Sequence, residues 1–422
     1  MVHKETLQNG LRVITAPMKS TKAVTVMAYV GTGSRYEKKQ HNGISHIMEH
    51  MFFKGGKRFP DAQSVSMAID RVGGICNAFT AEEKVAYYVK LSGNQKEIAY
   101  DLLSDMLLNA QFDPMELNRE RGVIVEEIRM YNDDPMSRLA IDFQSLCFGD
   151  QPLGWDIAGP EKVIKRIHRN NLIHYLDDHY SSRNTVISAA GNITHKENMK
   201  LVNRFFQFKN TKKPGKPKPF RSIRTPKIRL NYRKTEQSHF VLGFMIEGEN
   251  HRYQPALKVL SHILGGTMSS RLFMNLREKK GLAYYVRADR TAYQDVGVFR
   301  ISAGVNVDKT DQAIRGVFDE IHRLCSEKVP EAEIDLTKQN IKGLTDLFLE
   351  DSMRVASLYG GREIVCHSIK TPKEYMEEID RVTQKDVLNV AQKVFQPKPM
   401  KFAMVGPMKD KSRLEKVVRL LG

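Results

Sequence analysis

Residues 43–53 read Gly43-Ile44-Ser45-His46-Ile47-Met48-Glu49-His50-Met51-Phe52-Phe53. Ile44, Ile47, Met48 and Met51 recur at helical spacing, so the stretch predicts a helix with one buried face. His46 and His50 are four positions apart, which puts both imidazoles on one side of that helix, one turn apart. Two imidazoles so placed can grip one zinc ion through Zn–N bonds of about 2.0–2.1 Å. Glu49 follows His46 by three positions and adjoins His50. It can lean toward the same metal without ligating it, which is where a general base for metal-activated water stands. The pattern H-x-x-E-H is the mirrored form of the H-E-x-x-H zinc motif. The same residues also suit a plain amphipathic helix with two partly exposed histidines. A third ligand decides between the two readings.

Residues 113–131 offer one. Asp113 suits an N-cap, Pro114 the first helical position, and Glu116 completes a capping box. In the helix that follows, Glu120 and Glu127 are seven apart, two turns, and share a face with Val123 and Ile124 between them. Two carboxylates on an apolar stripe are costly to bury unless a cation compensates. The alternative is an exposed helix laced with pairs to Arg119, Arg121 and Arg129. Glu126 competes with Glu127 as ligand but points about 100° away from the shared face. A His, His, Glu set leaves one coordination position open, as catalytic zinc requires.

Working outward, strand-like runs at 11–16 and 24–30 precede the 43–53 helix. A second helix follows at 62–71, then a strand at 84–91. In the second half a strand at 239–246 is followed by helical runs at 255–264 and 271–279, then strands at 284–289 and 297–305. The order recurs at an offset of roughly 210 residues, which points to internal duplication. Each half ends in helices: 113–131 and 161–177 in the first, 331–349 and 373–394 in the second. Interspersed strands and helices with short strand-to-strand turns predict an α+β class. The expected fold is two homologous domains, each a mostly antiparallel sheet with helices packed on one face.

Between the halves, residues 208–226 carry prolines at 214, 217, 219 and 226, a glycine and dense positive charge, which cannot make a regular element. The predicted organisation is therefore a catalytic zinc-binding domain over 1–208, a basic linker over 209–226, and a degenerate substrate-binding domain over 227–422. The formal charge of the 422 residues is +17. Positions 209–234 hold eleven Lys or Arg and no acid, leaving +6 for the rest of the chain. Charge gathered in one linker argues against a nucleic-acid partner; it reads as a solvated linker, or as attraction for an acidic substrate or anionic surface. Cys76, Cys147, Cys325 and Cys366 form no C-x-x-C pair, which disfavours a thiolate zinc site and suits free thiols in a reducing compartment. No run approaches the roughly 18–20 apolar residues that cross a bilayer, and residues 1–20 lack a signal-peptide core. A cytoplasmic protein with no membrane partner is expected, with an organelle matrix or export after removal of a targeting segment as the alternative.

H-x-x-E-H, then 76 residues (51–126), then the glutamate of ERGVIVEEI resembles the pitrilysin/insulinase family of zinc metallopeptidases, which includes the subunits of mitochondrial processing peptidase. The resemblance extends over nearly the whole chain through NGLRVITAP, VGTGSRYE, GGICNAFTAEEKVAYYVKL, YSSRNTVISAAGNI and GTMSSRLFMNLREKKGLAYYV. It implies His46, His50 and Glu127 as metal ligands, one zinc ion per chain, Glu49 as the base and Glu120 as a supporting acid. It also implies that Arg277 and Tyr284, in LREKKGLAY, hold the peptide and the developing oxyanion. The segment Asn77-Ala78-Phe79-Thr80 matches an edge strand to which a substrate peptide adds by main-chain hydrogen bonds. The second half has no H-x-x-E-H, and His262 reads as a core histidine. The implied activity is endopeptidase cleavage of short or unfolded peptides in a chamber closed between two-domain subunits, with a homodimer as the expected assembly. The alternative is a processing-peptidase or structural subunit working with an inactive homologous chain. GTGSRYE reads as a turn rather than a phosphate loop.

Overall fold

The computed structural model describes residues 2–409, apart from 214, 223, 224, 226, 398 and 399, together with Ser412. Four positions of the basic segment (Pro214, Ile223, Arg224 and Pro226) therefore lie outside the described residues.

The first sheet holds β1 (His3–Thr6), β2 (Arg12–Pro17), β3 (Ala23–Val30), β4 (Ile75–Thr80), β5 (Val85–Ser92) and β6 (Thr185–Gly191), in the order β1-β2-β6-β3-β5-β4. The second holds β7 (Ile228–Tyr232), β8 (Gln237–Glu247), β9 (Ala283–Ala292), β10 (Val296–Asn306) and β11 (Lys401–Gly406), in the order β7-β11-β8-β10-β9. Leaving out the extra edge strand β1, the strands of each repeat lie in the same order: first, fifth, second, fourth, third. In both, the first and fifth strands pair in parallel and the other pairs are antiparallel. The duplication expected from the coarse pattern is thus present strand by strand, in an α+β fold of mostly antiparallel sheets.

The first five helices are α1 (Ile44–Phe52), α2 (Ala62–Asp70), α3 (Lys96–Asn109), α4 (Pro114–Asp133) and α5 (Pro135–Phe148). β3 explains how the layers form. Its sequence AVTVMAYV alternates Val24, Val26, Ala28 and Val30 with Thr25, Met27 and Tyr29, and all seven are buried, so both faces of the sheet are covered. The valine face packs in one cluster with Ile44, Ile47, Met48 and Met51 of α1. Met27 and Tyr29, on the other face, pack with Val355, Ala356 and Tyr359 of the helix Ser352–Cys366. Gly360 of that helix is required by close approach: a Cβ there would lie 2.6 Å from the Tyr29 ring. The second sheet repeats the device. Phe240, Leu242 and Phe244 of β8 pack with the helix Gln254–Gly265, while Val241 packs with Leu139, Phe143 and Leu146 of α5. Helices thus cover one face of each sheet as expected, and the opposite face carries one more helix drawn from the other half of the chain.

The compact units consequently differ from a single cut at 209–226. One comprises residues 1–129, 155–218 and 345–370; the other comprises 130–154, 219–344 and 371–422. The exchanged segments follow from burial, because a sheet apolar on both faces needs a helix on each.

Two predicted helices are broken. The run 161–177 is a short helix, Glu161–Ile164, followed by Arg169–His179. The run 373–394 is Pro372–Asp380 and Gln384–Val394, because Thr383 caps the second with its side chain accepting from the amide of Asp386. The segment 271–279 is helical, with π geometry over Phe273–Lys279.

Candidate metal centre

The turn before α1 sets the helix in place. Ser34–Tyr36 is a single tight turn in the segment that joins β3 to α1, as expected for GTGSRYE. Glu37, which ends that motif, is buried and grips the start of α1. Its carboxylate accepts from the amides of Gly43 (2.8 Å) and Ser45 (2.9 Å) and from Asn42 Nδ2 (2.8 Å). The two backbone amides are donors a helix leaves unsatisfied at its N-terminus, where negative charge is also favoured. Burial pushes the Glu37 carboxyl upward, against the pull of these donors. The Ser45 hydroxyl is further tied to Tyr175 Oη at 2.7 Å.

One turn and two turns further along α1, His46 and His50 stand with ring centroids 4.7 Å apart. Glu127 of α4 reaches both: its Oε2 lies 3.6 Å from His46 Nε2 and 3.5 Å from His50 Nε2. Among the described residues, His46, His50 and Glu127 are the one group of His, Cys, Asp or Glu whose ligand atoms converge this way, all within 4.8 Å of one another. The separations match a metal site. With bonds of about 2.05 Å, neighbouring ligands on a tetrahedron stand about 3.4 Å apart, whereas hydrogen-bonded pairs usually sit near 2.9 Å. Two neutral-capable imidazole nitrogens and one carboxylate oxygen are also a borderline donor set that suits zinc.

Glu120, two turns before Glu127, supports this trio from behind. Its Oε2 is 3.0 Å from His50 Nδ1, and its Oε1 is 2.5 Å from Lys54 Nζ. Burial would raise the Glu120 carboxyl, but His50 and Lys54 outweigh it and hold it below the usual carboxylate range. At His50 burial works downward, and the carboxylates of Glu120 and Glu127 overcome it, carrying the imidazole up to about 9. At His46 burial dominates, aided by the charge of His50, and brings it down to about 4. Its Nδ1 is buried without a hydrogen-bond partner. Glu49 lies beside the trio, where burial raises its carboxyl and Thr80 partly offsets the rise.

The arginines of α4 have partners other than Glu120. Arg119 pairs with Glu116, Arg129 with Glu126, and Arg121 with the carbonyl of Ile167. Glu126 points outward with its side chain 70 % exposed, so Glu127 alone of the two joins the histidines. Val123, expected on the apolar stripe, is exposed, while Ile124 beside it is buried. Leu117, Ile124, Val125 and Ile128 of α4 enter the core cluster, and position 123 lies off that arc.

Asn77, Ala78, Phe79 and Thr80 lie on β4, which forms an edge of the first sheet. The Asn77 side chain accepts from the amide of Ala78 at 2.8 Å. Arg277 and Tyr284 belong to the second unit. There the Arg277 guanidinium sits over the Phe273 ring, 4.7 Å from its centroid, and Tyr284 on β9 is 73 % exposed. His262 is buried in the helix Gln254–Gly265, the counterpart of α1 in the second repeat, and burial brings it down to about 4. Lys54 and Glu37 escaped the sequence reading. Their signals were a lysine four positions after His50, and an acid shortly before a helix start that lacks a Ser, Thr, Asp or Asn cap.

Replacing Glu120 by Gln removes the charge that orients His50 and leaves Lys54 without its partner. Loss of such an outer hydrogen bond typically costs about 10–100-fold in metal affinity. Competitive zinc titration of Glu120→Gln is expected to show a loss in that range, with the fold intact by circular dichroism.

The same elements place the chain among known proteins. Residues 12–161 match the insulinase family (peptidase family M16), and residues 166–341 match the peptidase M16 inactive domain. A protein of Bacillus subtilis described as an uncharacterized zinc protease, YmxG, is 34 % identical over 397 residues, covering 94 % of this chain and 96 % of its own. Another so described, from Streptomyces coelicolor, is 32 % identical and covers 99 % of this chain and 92 % of its own. The chain therefore belongs to the insulinase-type peptidase family M16. Among solved structures, a protease from Helicobacter pylori superposes with a TM-score of 0.89 at 24 % identity, over 96 % of this chain and 99 % of its own. A chain of complex III2 from Candida albicans superposes with a TM-score of 0.85 at 18 % identity, over 99 % of both chains. These two likenesses concern the fold.

Proposed function

We propose that the protein is a zinc-dependent endopeptidase acting on short or unfolded peptides. The observation that carries the reading is the convergence of His46, His50 and Glu127, whose ligand atoms lie within 4.8 Å of one another with Glu127 3.5–3.6 Å from each histidine, and Glu49 beside them. His46 Nε2, His50 Nε2 and a Glu127 oxygen would hold the ion. Zinc bound there supplies Lewis acidity toward a peptide carbonyl and lowers the pKa of water. Glu49 takes the proton from the attacking water and delivers it to the leaving amine as the C–N bond breaks. Glu120 and Lys54 keep His50 oriented. The free edge of β4 receives the peptide main chain over Asn77–Thr80, which makes recognition tolerant of sequence. Arg277 and Tyr284 hold the peptide and the developing oxyanion, as the family resemblance implies. The chamber is formed between two-domain subunits, most simply of a homodimer.

The description of both relatives as zinc proteases supports this reading. A subunit working beside a catalytic partner is the other role open to the fold. The complete ligand trio and the adjacent Glu49 in this chain favour catalysis. Mass and zinc content of the purified protein, measured together and followed by digestion of a mixed peptide library, test it. One zinc per chain, cleavage of unfolded peptides and loss of cleavage on chelation are expected. A metal-free chain that cleaves nothing after zinc addition overturns the proposal.

A further inference from the structure

We propose that Thr80 is a positioning residue that aims the Glu49 carboxylate, so that the end of the edge strand controls the geometry of the base. The inference rests on the reading of Glu49 as the base. Thr80 Oγ1 donates to Glu49 Oε2 at 2.5 Å. A short bond to a residue fixed in a paired strand limits the rotation of the carboxylate. The bond engages Oε2 and leaves Oε1 to exchange the proton with water.

Strand register is what brings the hydroxyl there. β4 pairs with β5 from Ile75 opposite Lys90 to Thr80 opposite Val85. Successive side chains point to opposite faces, so Cys76, Ala78 and Thr80 share one face. Cys76 and Ala78 pack against the cluster that contains Ile47, Met48 and Met51 of α1. Thr80 therefore arrives on the α1 side, at the level of Glu49. A register slip of one residue would present Phe79 instead.

The consequence is mechanical. Thr80 is the last residue of the strand proposed to take up the peptide. A peptide that adds to β4 straightens and stiffens that strand, and through Thr80 it stiffens the base as well. Misplacing a catalytic group by about 1 Å costs on the order of 10²-fold in rate. The contribution of Thr80 thus belongs to kcat rather than to binding or to the metal.

The test compares Thr80→Val, Thr80→Ser and Glu49→Gln in the full-length, zinc-loaded protein on one peptide. Valine keeps the shape and removes the hydroxyl; serine keeps the hydroxyl. Thr80→Val is expected to lose roughly 10- to 100-fold in kcat with KM within about twofold. Its zinc content and melting temperature should match the parent, and Thr80→Ser should recover most of the rate. Thr80→Ala serves as a second variant should valine disturb the strand. A Thr80→Val protein with parental kcat overturns the proposal. So does a loss that serine fails to repair, or one explained by lost zinc. Full activity in Glu49→Gln, or a parent without activity, overturns the underlying reading of Glu49 instead.

Discussion

Glu49→Gln is expected to abolish peptide hydrolysis while binding zinc as the parent does. The two effects separate because Glu49 is not one of the three converging ligands. Glutamine has the same shape, and its amide oxygen can still accept from Thr80, so the helix and the trio should be undisturbed. What disappears is the group that accepts a proton. General acid–base catalysis contributes about 10²–10⁴-fold, so the loss in kcat should be roughly 10³-fold or more, about 4 kcal/mol of barrier at 1.4 kcal/mol per decade. Zinc stoichiometry by elemental analysis and initial rates on one fluorogenic peptide check both halves of the expectation. Parental activity in this variant would remove Glu49 from the chemistry.

The second large effect is expected from His46→Ala. Removing an outer partner of a ligand already costs about 10–100-fold in metal affinity, so deleting a ligand itself should cost on the order of 10³-fold or beyond. Activity falls with the metal rather than through kcat at full occupancy, which distinguishes this variant from Glu49→Gln. Zinc should also cease to stabilise the fold. A ligand at 100 times its Kd raises the stability of the folded state by about 2.7 kcal/mol, and one far below its Kd adds almost nothing. Thermal unfolding with and without zinc should therefore show a shift for the parent and none for His46→Ala at the same metal concentration. An equal shift in both would move the metal away from His46.

Both variants probe the part of the site that was most legible in the sequence. His46, Glu49 and His50 lie within five residues of one helix, and helical periodicity alone assigns their faces. Glu127 was legible as a candidate because two turns of α4 bring it under Glu120. Choosing it over Glu126 took either the family resemblance or the structure, in which Glu126 goes to Arg129. Thr80, although named within the edge-strand segment, gave no sign that it would meet Glu49, since 31 positions separate them.

The same division holds for the fold. The apolar run 24–30 marks a strand, and the repeated order of strands and helices marks a duplicated α+β chain. Those properties are local, because each is set by side-chain direction along a regular backbone. Which helix covers Met27 and Tyr29 is not local. Only the tertiary structure assigns that face to Tyr359 and its neighbours, more than 300 residues away, with Gly360 leaving room for the Tyr29 ring. By itself the sequence determined which residues could hold zinc and move a proton. The packing of α4 and β4 against α1 decided which of them meet, because contact between distant segments depends on the shapes of both surfaces and not on the period of either.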